Sequence, residues 1–195
     1  MPDLSFLQQA LQAFAGIDEE NFALSEPLWL EKRYGKGEYF NEYKNVCKHL
    51  GFIINGIFRT YYVDPETAEE KNIFFFSDQQ VIVSYKSFVL QAPCNYHTSS
   101  MTDAHIVYIT YSSLEELYKK SHQWERFGRL IAEKAFNLAM NKAEDFIFQT
   151  PEQRYTDLIA MHPNIVNTVP LYHIASYLGI QGPSLSRIRK RMAQK

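Results

Sequence analysis

Ile174-Ala175-Ser176-Tyr177-Leu178-Gly179-Ile180, continued by Gln181-Gly182-Pro183-Ser184-Leu185-Ser186-Arg187-Ile188-Arg189-Lys190-Arg191-Met192, is the stretch from which the rest of the chain can be read. Ile174, Ala175 and Leu178 fall on one face of a short helix, and Leu185, Ile188 and Met192 on one face of a second. Gly179 stands between them, where a tight turn needs a positive φ, and Ile180 plugs the corner. Ala175 is small where the two helices cross. The spacing predicts a helix-turn-helix whose second helix projects from the surface. Its exposed groups would be Gln181, Ser184, Ser186, Arg187, Arg189, Lys190 and Arg191, side chains of the kind that reach phosphates and base edges in a major groove. Arg187 is the first candidate for a base contact, because a guanidinium holds guanine O6 and N7 together, a contact worth about 1–3 kcal/mol of discrimination. Gln181 and Ser184, with the backbone N–H groups near the helix start, suit phosphates. The competing reading of the same residues is a hairpin of helices that packs on a protein partner.

Charge separates along the chain in the same sense. The 195 residues hold 20 Lys and Arg against 22 Asp and Glu, a net charge of −2. Residues 167–195 contain Arg187, Arg189, Lys190, Arg191 and Lys195 and no acidic residue, so the remainder is strongly acidic. A localised basic end on an acidic body predicts a local polyanion contact and opposes one elsewhere. With 46% hydrophobic residues the chain has the composition of a globular protein of one or two domains. Its two cysteines, Cys47 and Cys94, make no disulfide framework, and a reducing cytoplasm is the expected home. No apolar run approaches the roughly 18 residues of a membrane span, and the first Lys or Arg is Lys32, unlike a secretory leader.

Outward from the helix-turn-helix the expected class is α+β. Residues 3–24 carry Leu4, Leu7, Leu11, Phe14 and Phe22 at helical spacing, interrupted by Gly16. From Trp29 to Thr110 aromatic and β-branched runs alternate with turns, which predicts an antiparallel β-roll of the jelly-roll kind. Asn55-Gly56 between Phe52-Ile53-Ile54 and Ile57-to-Val63 reads as a tight hairpin. Ser112 and Ser113, each three residues before a Glu, predict capping boxes for a following helix. A long helix is expected over residues 123–149 with two apolar stripes: Trp124, Phe127, Ile131, Ala135 and Leu138, and Phe136, Met140, Ala143 and Ile147. A helix buried on two faces needs two neighbours, so one stripe is expected at a homodimer seam, with Trp124, Phe127, Ile131 and Leu138 as candidates. Thr150-Pro151-Glu152-Gln153 restarts the chain with an N-cap, a proline at the first helical position and a capping-box Gln. The predicted domains are therefore 1–149, a β-roll with flanking helices and the long helix, and 150–195, a winged helix-turn-helix whose residues 164–169 form a connecting loop.

This order of parts resembles the cyclic-AMP receptor protein/fumarate-nitrate regulator (Crp/Fnr) family of bacterial transcription factors over nearly the whole chain. The matching segments are Gly35-Lys36-Gly37-Glu38, Ile54-Asn55-Gly56-Ile57-Phe58-Arg59, Ile174-to-Ile180 and Ser184-to-Ile188. The resemblance implies a cyclic-nucleotide-binding-like sensor domain, a dimer through the long helix, double-stranded promoter DNA as partner, RNA polymerase as a second one, and a base-contacting role for Arg187.

The sensor segment departs from that pattern. The family's nucleotide binders use a Gly-Glu-Leu segment and an Arg-Ser/Thr-Ala segment on the phosphate. Between Asn72 and Ser112 this chain has no Gly, Glu or Arg. Any effector pocket there would draw on Ser84, Tyr85, Lys86, Asn95, Tyr96, His97 and Thr98, and cyclic AMP is not expected to bind tightly. The effector, if there is one, is an unidentified small molecule. No cofactor is expected: Cys94-x-x-His97 with His105 is a weak metal set, an axial haem ligand would have to come from Cys47, Cys94 or His97, and no His-x-His, phosphate loop or nucleophile elbow supports an enzyme.

Overall fold

The computed structural model describes residues 4–194; position 3, where the first helix was predicted to begin, and Lys195 of the basic end lie outside them. Two short helices, α1 (Ser5–Ala15) and α2 (Glu19–Ser25), precede the sheets. Gly16 at φ +70 ends α1 in the left-handed conformation open to glycine, and the Asp18 carboxylate caps α2 by accepting from the Asn21 N–H at 2.9 Å.

The aromatic region folds into β1 (Leu30–Tyr34), β2 (Tyr39–Asn41), β3 (His49–Asn55), β4 (Phe58–Val63), β5 (Glu70–Phe76) and β6 (Val81–Ile82), then helix α3 (Tyr85–Leu90), then β7 (His97–Ser100) and β8 (Ala104–Thr110). These strands make two antiparallel four-stranded sheets, ordered β1-β8-β3-β6 and β2-β7-β4-β5, the β-roll expected from the sequence. Ile53, Phe58, Ile82 and Ile106 are completely buried between them. Asp64-Pro65-Glu66 reverses the chain: β4 and β5 pair, with Val63 opposite Glu70, and Asp64 accepts from the Glu66 and Thr67 N–H groups.

The predicted Asn55-Gly56 hairpin is corrected. β3 and β4 lie in different sheets, and the chain turns a corner at Gly56 to pass from one to the other. Gly56 has φ +112, and a Cβ there would stand 2.3 Å from the Cβ of Ala104. Turn chemistry was read correctly, but it cannot say which sheet receives the next strand.

The helical half begins with α4 (Tyr111–Lys120) and α5 (His122–Phe148). Thr110, not Ser112 or Ser113, caps α4, its hydroxyl accepting from the Ser113 N–H at 3.1 Å, because β8 runs one residue further than its apolar pattern. α6 (Pro151–Met161) starts with the Thr150–Gln153 capping box as predicted. α7 (Pro163–Thr168) replaces the expected loop: Pro163 ends α6 and, at the first position of the next helix, starts another. α8 (Leu171–Tyr177) and α9 (Gly182–Met192) complete the chain. Among the described residues no strand follows Thr110, so the terminal unit is helical and its predicted wing is absent.

Helix α5 is about 40 Å long at ~1.5 Å per residue. Trp124, Phe127 and Ile131 of its first half are buried in the chain's own core against α1 and the β-roll, and the Trp124 Nε1–H donates to the Asn21 carbonyl at 3.0 Å. These three are therefore filled from within and unavailable to a second chain, while Leu138 is 44% exposed. On the opposite face Phe136, Met140 and Ile147 stand in solvent.

Gly56→Ala is expected to destabilise the fold by about 2–4 kcal/mol, since the methyl adds overpacking against Ala104 to a backbone conformation disfavoured for alanine. Urea denaturation followed by circular dichroism measures it.

Candidate nucleic-acid interface

The turn between α8 and α9 is a Schellman motif. The Ile180 N–H donates to the Ala175 carbonyl and the Gly179 N–H to that of Ser176, both at 3.0 Å, with Gly179 at φ +70. Glycine is required twice here, because a Cβ on Gly179 would also lie 2.6 Å from the Phe146 ring at the far end of α5. Two cations fasten the same end of α8. Arg154 donates to the carbonyls of Leu178 at 2.8 Å, Gln149 at 2.7 Å and Asp145 at 3.2 Å, and Lys142 donates to that of Tyr177 at 3.1 Å. Both lie over the Phe146 ring, and Lys142 also over Tyr177. Burial brings the Lys142 pKa down to about 7.

This frame fixes α9. Leu185 and Ile188 are buried in a core with Tyr155, Leu158 and Ile174, and Ile57 and Phe75 of the β-roll join it. Gln181, Ser186, Arg187, Arg189, Lys190 and Arg191 are exposed and Ser184 half-buried. Arg187 lies back along the first turn, its guanidinium 3.4 Å from the Pro183 carbonyl and from the Ser184 hydroxyl. Arg191 pairs with Glu152 of α6 at 2.7 Å, whereas Arg189 and Lys190 make no ion pair among the described residues. The predicted cationic groups thus share one protruding helix, with Arg191 partly committed to holding it.

Sequence reading missed the contact that seats this unit on the β-roll. Helix α8 lies along β5: the Asn72 N–H donates to the Ser176 hydroxyl at 3.0 Å, and that hydroxyl donates to the Glu70 carbonyl at 2.8 Å. His173, 5% exposed, presents Nδ1 to Arg59 Nη1 at 3.0 Å and to the Asn72 side-chain amide at 3.3 Å. Arg59 in turn pairs with Glu70 and stacks on the Tyr61 ring. Burial, then the Arg59 cation, holds the His173 pKa down at about 4, so the ring is neutral at pH 7 and accepts at Nδ1. The available signal was Arg59 itself, a cation inside the otherwise uncharged run Ile57-to-Val63.

The predicted effector residues divide. Tyr85, Lys86 and Tyr96 line a cavity of about 590 Å³ between the β-roll, α5 and the terminal helices. Ser84 and Thr98 are buried beside it, their hydroxyls 3.4 Å apart, with Thr98 also 3.0 Å from the Thr60 hydroxyl. Asn95 is exposed away from the cavity wall, and His97 stacks on Tyr61 while its Nδ1 accepts from the Tyr43 N–H at 3.3 Å. Cys94 is buried with a free thiol, and His105 faces Glu31 at 3.1 Å. Among the described residues no group of three or more His, Cys, Asp or Glu side chains is arranged to hold a metal, and no helix is long and apolar enough to cross a membrane.

A β-roll of two four-stranded sheets, a long helix across it and a terminal helix-turn-helix make up the fold of the Crp/Fnr regulators. The chain is similar to FixK2 from Bradyrhizobium japonicum, at 18% identity and a TM-score of 0.72 over 85% of each chain. It is similar also to a protein described as a transcriptional regulator of the Crp/Fnr family from Eubacterium rectale, at 14% identity and a TM-score of 0.71 over 95% of this chain and 88% of that one. A third is the c-di-GMP responsive global regulator CLP of Xanthomonas campestris, at 14% identity and a TM-score of 0.68 over 91% and 92%. At these identities the likeness is one of fold. No family model and no curated protein matches the chain.

A histidine whose folded pKa lies below its unfolded value of about 6.5 takes up its proton in the unfolded chain first. Acidification from about pH 6.5 to pH 4 is therefore expected to weaken the seating of α8 on β5. The melting temperature of the parent should fall over that window by more than that of His173→Gln, which can accept the same hydrogen bonds but does not titrate. Parallel melting curves at pH 7 and pH 4.5 make the comparison.

Proposed function

We propose that this chain is a dimeric, sequence-specific DNA-binding transcription regulator of the Crp/Fnr type, acting in the cytoplasm and not as an enzyme. The observation that carries the reading is α9, with Arg187, Arg189 and Lys190 exposed on the helix that follows the turn at Gly179. In this reading residues 150–195 are the DNA-binding unit and residues 1–149 the sensor unit. Arg187 reads a base, Gln181, Ser184 and Ser186 sit near phosphates at the start of α9, and Arg189, Lys190 and Arg191 neutralise the flanking backbone. RNA polymerase is the further partner that such a regulator would contact from promoter DNA.

The exposed stripe Phe136, Met140, Ala143 and Ile147 of α5 is the proposed dimer seam, since the face bearing Trp124 is already filled. Two copies related by a two-fold axis would set their α9 helices in successive major grooves about 34 Å apart, so the operator is an inverted repeat. In the sensor unit the cavity facing α5 is the effector site. Cyclic AMP is a poor fit because the wall contains no arginine to hold its phosphate.

Binding is tested by fluorescence anisotropy on the DNA immediately upstream of the chain's own gene, against scrambled competitor at several salt concentrations. Arg187→Ala is expected to lower specific affinity by about 10- to 100-fold and leave non-specific binding nearly unchanged. Lys190→Ala should weaken all sequences alike and reduce the log–log salt slope by about one. An Arg187→Ala protein with undiminished specific affinity would count against the base contact. Absence of DNA binding, together with capture of a protein through α9, would favour a partner-docking module instead. For the seam, the double variant Phe136→Asp/Ile147→Asp is expected to sediment as a monomer at concentrations where the parent is a dimer.

A further inference from the structure

The cavity has three walls that belong to different parts of the chain. Phe74, Phe76 and Val81 come from the β-roll; Ile131, Ala135 and Leu138 come from α5; Leu158, Ile165 and Tyr177 come from the helices of the terminal unit. At about 590 Å³ it is the size of sites that take small organic molecules. Its surface is predominantly apolar, so water inside it finds few hydrogen-bond partners while an alkyl or aryl group finds many carbon atoms at contact distance.

The ionic side chains on this wall have one sign, and Thr60 and Gln80 add neutral polar groups. Lys86 and Lys134 are its basic side chains, the Lys134 ammonium lying over the Phe14 ring, and no Asp or Glu lines the cavity. Lys86 is exposed at the start of α3, with the half-buried Tyr85 beside it and Tyr96 behind. Burial raises the pKa of both tyrosines, so they remain neutral hydroxyl donors at pH 7. His162, on the terminal side, has its pKa lowered by burial and adds no further cation. An apolar chamber with the Lys86 side chain and phenol donors at its edge fits a molecule with an apolar body and one carboxylate. It does not fit a sugar phosphate, whose hydroxyls would meet phenylalanine and alanine.

We propose that the cavity binds an amphipathic monocarboxylate, its carboxylate on Lys86 and its hydrocarbon body between β5 and α5, and that the occupant braces the terminal helical unit against the β-roll. The bracing follows from the third wall: a ligand touching Phe76, Ala135 and Leu158 together binds the seated arrangement better than one in which α6 and α7 have moved off, and so stabilises the former by mass action. The ligand class stands on the cavity alone. Its regulatory consequence rests on the DNA-binding reading above.

Decanoate serves as probe and decanol as its uncharged match, titrated into the full-length chain by isothermal calorimetry below the micellar range. Decanoate is expected to bind saturably and more tightly than decanol. Lys86→Met should weaken decanoate by about tenfold and leave decanol within about twofold, because it removes the charge and keeps a side chain of similar length. Ala135→Trp, which sets an indole into the chamber where the hydrocarbon body would lie, should weaken both by tenfold or more, with an unchanged circular dichroism spectrum showing that the variant is folded. Hydrogen exchange supplies the second readout: decanoate should slow exchange of the Asn72 amide, the group that donates to Ser176 across the seat. No saturable decanoate binding, equal loss of decanoate and decanol in Lys86→Met, undiminished binding to Ala135→Trp, or unchanged Asn72 exchange at saturation would each overturn the proposal. DNA affinity is measured separately with and without decanoate. A chain that binds decanoate but no DNA would sink the regulator reading and keep the site, and one that binds DNA but no decanoate would do the reverse.

Discussion

One face of α5 touches both halves of the chain, and the remaining architecture hangs from that helix. Its first half closes the β-roll core with Trp124, Phe127 and Ile131; its last turns hold the helix-turn-helix through Lys142 and Phe146. A single helix therefore relates the β-roll sheets to the helix-turn-helix. The junction at its far end is compact because cations do two tasks: Arg154 and Lys142 satisfy carbonyls at the C-terminal end of α8, which a helix leaves without partners, and cover the Phe146 ring. Gly179 is the space into which that ring fits.

The terminal unit is seated a second time, on β5. There the chemistry differs from a hydrophobic contact: Arg59, Glu70, Asn72, His173 and Ser176 form a buried polar patch in which a neutral imidazole accepts from a guanidinium. Such a patch is directional, and it weakens when one partner changes charge. Apolar contacts of Ile57 and Phe75 with the terminal core surround it. The β-roll and the terminal helical unit are thus joined by polar and apolar contacts at one seat.

Several sequence readings were right about local chemistry and wrong about its use. Asn55-Gly56 is a turn, yet it carries the chain between sheets, a choice made by the close approach of Ala104. Pro163 ends a helix, and the same proline begins the next. The stripe Trp124-Phe127-Ile131 is apolar enough for a subunit seam, but α1 and β3 reach it first. The helix-turn-helix was legible almost residue by residue because its determinants are local: helical periodicity, one positive-φ glycine and one run of charge. The polar seat was not legible, because Arg59 and His173 are more than a hundred positions apart, and a lone cation in an uncharged run marks a buried partner without saying which residue it is.

The sequence by itself determined the α+β class, the order of the parts, the turn at Gly179, the cap at Thr150 and the cationic face of α9, since each depends on residues within a few turns of one another. Tertiary structure alone decided which stripe of α5 is buried, how α8 seats on β5, and that Lys86, Ala135 and Leu158 border one cavity. Those outcomes depend on contacts between segments far apart in the chain, where packing volume and burial of charge, not local propensity, choose the neighbour.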